Sequence, residues 1–173
     1  MADALTLGPN TRRFAIITAV VARLNAIRTE NTFATEDGGI DYYRTDAGTR
    51  VTLYEAPELG QGDPVNAIAV FIEDSEPALL GGYIDEPVEV EIQALAKANP
   101  DEDDTNGLPP ALAAEELLGD IRRAMEQPSR TLPGVKGEVE LGATRVLPRE
   151  PGRTTIGVAQ RYRMRFVRKW GHP

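Results

Sequence analysis

Residues 154–169 read TTIGVAQRYRMRFVRK, and apolar and basic side chains alternate along them with period two. Ile156, Val158, Tyr162, Met164 and Phe166 fall on one side of an extended chain, and Arg161, Arg163 and Arg165 on the other, preceded by Gly157 and Ala159. Successive side chains of a strand point to opposite faces, so this stretch reads as a half-buried β-strand. Its apolar side needs a core to cover it. Its open side carries like charges about 7 Å apart, which repel unless acids neutralise them.

Acids are plentiful upstream. From Glu30 to Asp104 there are 19 acidic residues against Arg44, Arg50 and Lys97, a local charge of −16. From Arg145 to Pro173 eight basic residues oppose Glu150 alone, giving +7 within a chain of net charge −8. This division points to self-complementary association or to a charged partner. A length of 173 residues suits one domain with long loops, near 29–48, 56–64, 73–87 and 99–110. The absence of cysteine excludes disulfides and thiolate metal sites, and the single histidine, His172, makes a histidine-based active site a poor expectation. No apolar run approaches the roughly 18 residues of a membrane span, so no membrane partner is expected. The opening MADALTLGPNTRR lacks the basic start and apolar block of a secretory signal.

Periodicity predicts a helix over Asn10–Arg28, with Phe14, Ile17, Val20 or Val21, Leu24 and Ile27 as its stripe and Asn10 or Thr11 as its cap. Strands follow at Arg50–Glu55, Asn66–Ile72 and Val88–Leu95, with a short one possible at Tyr42-Tyr43; the segment 73–87 between them reads as turn-rich. In the third of these strands Val88, Val90 and Ile92 point inward, and Glu89, Glu91 and Gln93 outward. A second helix spans Ala111–Glu126, with Pro110 near its first turn and Leu117 or Leu118, Ile121 and Met125 as its stripe. Glu138–Leu147 and Thr154–Val167 then form a hairpin. The expected fold is α+β, in the order α-β-β-β-α-β-β, with two helices on one face of a mixed or antiparallel sheet.

Catalytic and cofactor signatures are weak. A calcium loop starting at Glu102 would place Asp104, Asn106 and Gly107 well, but Ala113 stands where a bidentate glutamate is required. Gly38-Gly39 and Gly81-Gly82 lack the flanking residues of phosphate-binding loops and read as turns. Ser75 and Ser129, the only serines, sit beside prolines outside any nucleophile motif. The chain is therefore expected to be neither an enzyme nor a cofactor protein. The basic C-terminal strand, with Tyr162 and Trp170 nearby, also allows a nucleic-acid-binding module, although Tyr162 lies on the apolar side and the net charge opposes a polyanion.

Three features carry a resemblance: the first helix ending in Leu24 and Ile27, the second reading ELLGDIRRAM (Glu116–Met125), and the closing YRMRFVRKWGHP (Tyr162–Pro173) after a block of strands. This layout resembles the tail terminator proteins of long-tailed bacteriophages and related particles, over nearly the whole chain. The resemblance implies a structural virion protein made in the host cytoplasm and located at the tail–neck junction. Six copies would form a ring that caps the tail tube, stops its polymerisation and meets the neck of the head, with DNA only as passing cargo and no cofactor. Other neck components, such as a connector, a stopper or a tube subunit, are related alternatives. The expected interface or channel residues are Arg161, Arg163 and Arg165, with Glu89, Glu91, Asp101, Asp103 and Asp104 as the acids they could meet. The arginines would face a neighbouring subunit, the ring channel, or, within the chain, Glu89 and Glu91 on a paired strand.

Overall fold

A computed structural model describes residues 12–35, 37–55, 67–74, 77–97, 109–127, 129–147 and 155–169. The expected cap at Asn10 or Thr11, the acids Asp101, Asp103 and Asp104, the turn at 148–152 and Trp170 lie outside these residues.

The elements are α1 (Arg12–Asn25), β1 (Thr32–Ala34), β2 (Ile40–Tyr42), β3 (Val51–Leu53), β4 (Ala67–Asp74), β5 (Ala78–Leu80), β6 (Tyr83–Lys97), α2 (Pro110–Glu126), β7 (Glu140–Val146) and β8 (Thr155–Lys169). The main sheet runs β3-β4-β6-β8-β7, with β5 also paired to β6, while β1 and β2 form a separate ribbon. Only β3 and β4 are parallel; every other pairing is antiparallel. The fold is α+β with a mixed sheet, and both helices pack on one face of it.

The 15-residue β8 lies in the sheet interior between β6 and β7, and its apolar side (Ile156, Val158, Tyr162, Met164 and Phe166) is buried as its periodicity predicts. Val88, Val90 and Ile92 of β6 and Ile68, Val70 and Ile72 of β4 complete the inner face. α2 lays Leu117, Leu118, Ile121 and Met125 on this face, and Pro110 occupies its first turn, where a missing N–H costs nothing.

Several expectations are corrected. α1 buries Ile16, Val20 and Leu24, with Ile27 just beyond its end, while Phe14 is exposed and Ile17 only partly buried. The segment 73–87 is not mainly turn. β4 pairs with β6 through Asp74↔Val88, β5 resumes at Ala78↔Asp85, and the two registers differ by one residue. Gly81 and Gly82, at φ 54° and 88°, close the hairpin between Leu80 and Tyr83. Two successive positive-φ residues make the tight turn whose twist matches antiparallel strands. β5, the start of β6 and the end of β8 thus form an arm extending past the last pairings of β4 and β7. At its tip Leu79 and Tyr83 are exposed. The strand expected over 50–55 shortens to β3, and β1 was not anticipated.

Two polar anchors bind the helices to the rest. Arg23 of α1 donates to the carbonyls of Met125, Ser129 (2.9 Å) and Thr131 (2.8 Å), covering the C-terminal end of α2. The Asp120 side chain, fully buried, accepts from the backbone N–H of Arg44 (2.9 Å) and of Thr45 (2.7 Å), the Thr45 hydroxyl (2.9 Å) and the Arg123 guanidinium (3.1 Å). Arg123 also lies over the Phe33 ring at 5.3 Å, so one buried carboxylate organises α2, the ribbon and the loop after β2.

Candidate functional site

The sheet face away from the helices carries the charged side chains. The β6–β8 register sets Glu89 opposite Arg163 and Glu91 opposite Arg161. Arg163 Nη2 donates to Glu89 Oε1 at 2.9 Å, and Arg161 Nε to Glu91 Oε2 at 2.6 Å. Arg165 faces Pro87, which offers no charge, and reaches diagonally to both carboxylate oxygens of Asp85. The intrachain ladder is therefore formed by all three arginines. Directly opposed and diagonal neighbours on a sheet face are close enough for this.

Glu91 is the hub. Its Oε1 accepts from Arg145 Nη2 of β7 (2.8 Å) and from Gln93 Nε2 (2.7 Å). Burial pushes its carboxyl pKa up, but hydrogen bonds from Gln93 and Arg161, with the charge and hydrogen bond of Arg145, outweigh burial and leave it below the ordinary value. The guanidinium of Arg161, bonded to Glu91, and that of Arg165, bonded to Asp85, are held more firmly protonated than usual.

The ladder is not level. The side chains of Glu91 and Asp85 are 8% and 3% exposed, whereas those of Arg145, Arg161, Arg163 and Arg165 are 43–58% exposed. The carboxylates of Glu91 and Asp85 lie against the sheet, that of Glu89 is partly exposed, and the guanidinium groups rise above them. Toward the β8 N-terminus this face closes: Gly157 and Ala159 are buried, and Leu95 and Leu147 each approach to 2.9 Å of the point where a Gly157 Cβ would lie.

Two residues of this region were not anticipated. Arg145 was counted only in the basic block, because its role needs the β7–β8 register. Gln160 sits among the apolar positions of β8 and is fully buried. Its explanation is a β-bulge: Leu141 pairs with Tyr162 and Thr144 with Gln160, so Gly142 and Ala143 together oppose Arg161. The Gln160 amide N–H groups reach the carbonyls of Gly142 and Ala143 (both 3.2 Å) and Arg161 (2.9 Å), and its oxygen accepts from the Thr144 hydroxyl at 2.6 Å. Arg122 of α2 adds a bond to Thr144 at 3.0 Å. A polar residue at an inward position of an otherwise apolar strand face was the available signal. Beside the bulge opens a depression of about 260 Å³ lined by Glu89, Glu140, Leu141, Gly142, Arg161 and Arg163 among others.

Among the described residues no group of three or more His, Cys, Asp or Glu side chains could hold a metal ion, and no helix is long and apolar enough to cross a membrane. What the arrangement offers is a patterned binding surface. The chain matches no protein-family model and no curated protein sequence.

Proposed function

We propose that this chain is a structural subunit of a bacteriophage tail, a terminator that assembles as a ring of six, caps the tube, stops its growth and joins it to the neck. The observation that carries the reading is the layout: a helix, a strand block, a second helix and a long strand inside the sheet, from which the β5–β6 arm extends with Leu79 and Tyr83 exposed at its tip. Exposed apolar groups at the end of an arm suit a head-to-tail contact, in which one patch meets a different patch on the next copy and the rotation closes a ring. The three β8 arginines hold acids of their own sheet while staying about half exposed, and the arm adds a second surface for subunit contact. The test is native mass measurement and electron microscopy of the purified chain, with tube growth followed when it is added. Six-copy rings that halt growing tubes are expected, and Leu79→Asp with Tyr83→Asp should disperse the rings while leaving the fold intact. Single copies at high concentration, with tube growth unaffected, would refute the reading.

A nucleic-acid-binding module is the second reading, favoured by the raised guanidinium groups over sunken carboxylates. It requires binding that falls steeply with added salt. Absence of any salt-sensitive binding to DNA or RNA at low ionic strength would dismiss it.

A further inference from the structure

The β7 strand is an edge. All seven of its residues are exposed, and among the described residues no strand lies on its outer side. The Leu147 N–H bonds to the Gly157 carbonyl, so by alternation Val146 and Thr144 turn their main-chain groups away from β8. An edge with free N–H and C=O groups is a template for another strand.

The bulge changes what this edge displays. Residues five apart on a regular strand point to opposite faces. Here Glu140 is opposite Arg163 and Arg145 opposite Ala159, both on the arginine face, because the extra residue at Gly142-Ala143 shifts the alternation by one. The strand therefore carries an acid and a base on one face, each two residues away from the Gly142-Ala143 pair, its two smallest residues. Among the described residues Glu140 makes no ion pair within 4 Å, Arg163 being turned to Glu89 and Arg165 to Asp85. Arg145 uses one Nη on Glu91 and remains 58% exposed.

We propose that β7 is a self-complementary edge that pairs antiparallel with β7 of a second copy, Glu140 of each lying opposite Arg145 of the other. In this register Leu141 faces Thr144 of the second copy and Gly142 faces Ala143, each pair falling on matching faces of one continuous sheet. A twofold axis through the bulge relates the copies, and the contact is isologous. It goes beyond the ring reading and does not depend on it.

The test uses the full chain in sedimentation and native mass measurements over a range of concentrations. A two-copy species is expected in the unmodified protein at dilutions where no ring stands, and paired rings where one does. Glu140→Arg and Arg145→Glu should each weaken it about tenfold, since both copies then oppose like charges, and the double reversal should restore it. Arg145→Glu also disturbs Glu91, so a second measurement avoids that residue. Leu141→Cys protein mixed with Thr144→Cys protein, in a chain with no other cysteine, should oxidise to a covalent pair of copies. With a single cysteine in each chain, no bridge can form within a chain. Single copies that never cross-link, or a two-copy species indifferent to both reversals, would overturn the proposal. A six-copy ring that tolerates both reversals would overturn this edge contact while leaving the ring reading standing.

Discussion

Replacing Asp120 with alanine removes the acceptor for two backbone N–H groups, one hydroxyl and one guanidinium, all within 2.7–3.1 Å of a fully buried side chain. A buried donor left without a partner costs about 1–3 kcal/mol, and breaking a buried charge pair about 3–5 kcal/mol. The four donors share one site, so their losses do not add, and the expected destabilisation is about 3–5 kcal/mol. That is a large part of the roughly 5–15 kcal/mol by which a domain is stable. For a chain of this length it corresponds to a fall in melting temperature of roughly 6–20 °C. Denaturant unfolding gives the magnitude, and amide exchange gives the place. Arg44 and Thr45 should lose protection first, because their N–H groups bond directly to the carboxylate. Asp120→Asn, which keeps one acceptor oxygen, should fall between. A loss below about 1 kcal/mol in Asp120→Ala, with Arg44 and Thr45 still protected, would show that water or a neighbouring group replaces the carboxylate readily, and the reasoning would fail.

Tyr162→Phe should be neutral or stabilise by up to about 1 kcal/mol, since the buried Tyr162 hydroxyl has no hydrogen-bond partner among the described residues and burial holds its pKa well above the ordinary value; a loss of stability in thermal melts would reveal a hidden partner. Gly48→Ala should destabilise by about 2–4 kcal/mol, because the new Cβ would lie 2.2 Å from the Leu24 carbonyl oxygen and 2.9 Å from that of Ile27, both backbone atoms that cannot swing away; a wild-type denaturation midpoint would contradict this. Glu91 has a depressed carboxyl pKa in the fold, so the stability it contributes is present above its unfolded value of about 4.3 and lost as pH falls through the folded one. Melting temperatures of Glu91→Gln and the unmodified chain should therefore differ at neutral pH and converge in acid, and a gap that stays constant to pH about 3 would reject the ladder as its origin.

Much of the fold was legible where one periodicity dominated. The strand over 155–169 is legible because Ile156, Val158, Tyr162, Met164 and Phe166 admit only period two, and burial of that side leaves the arginines no other face. The α1 stripe was misplaced because RRFAIITAVVARLN is apolar around much of its circumference near Ile16 and Ile17, and only the neighbour decides which side is inside. The hairpin at 78–85 is hidden in a segment that reads as turn-rich, although Gly81-Gly82 marks its turn. The ladder was one of three readings of the arginines. The pairing with Glu89 and Glu91 follows from the β6–β8 register, a long-range property that no local pattern encodes. Gln160 and Arg145 needed the bulge, for which Gly142 inside a strand was a faint sign.

The interior position of β8 also orders events in time. A chain emerging N-terminus first completes β6 at Lys97, and β8 begins only at Thr155, 58 residues later. At typical synthesis speeds the β6 edge waits roughly 3–12 s for its proper neighbour. A bare 15-residue strand with Val88, Val90 and Ile92 on one side would be a site for aggregation. Asp85, Glu89 and Glu91 stand on its other side, unneutralised throughout that interval, and like charges repel a second β6 that would stack in register. The acids that later hold the arginines thus disfavour in-register pairing of the nascent strand with its own kind.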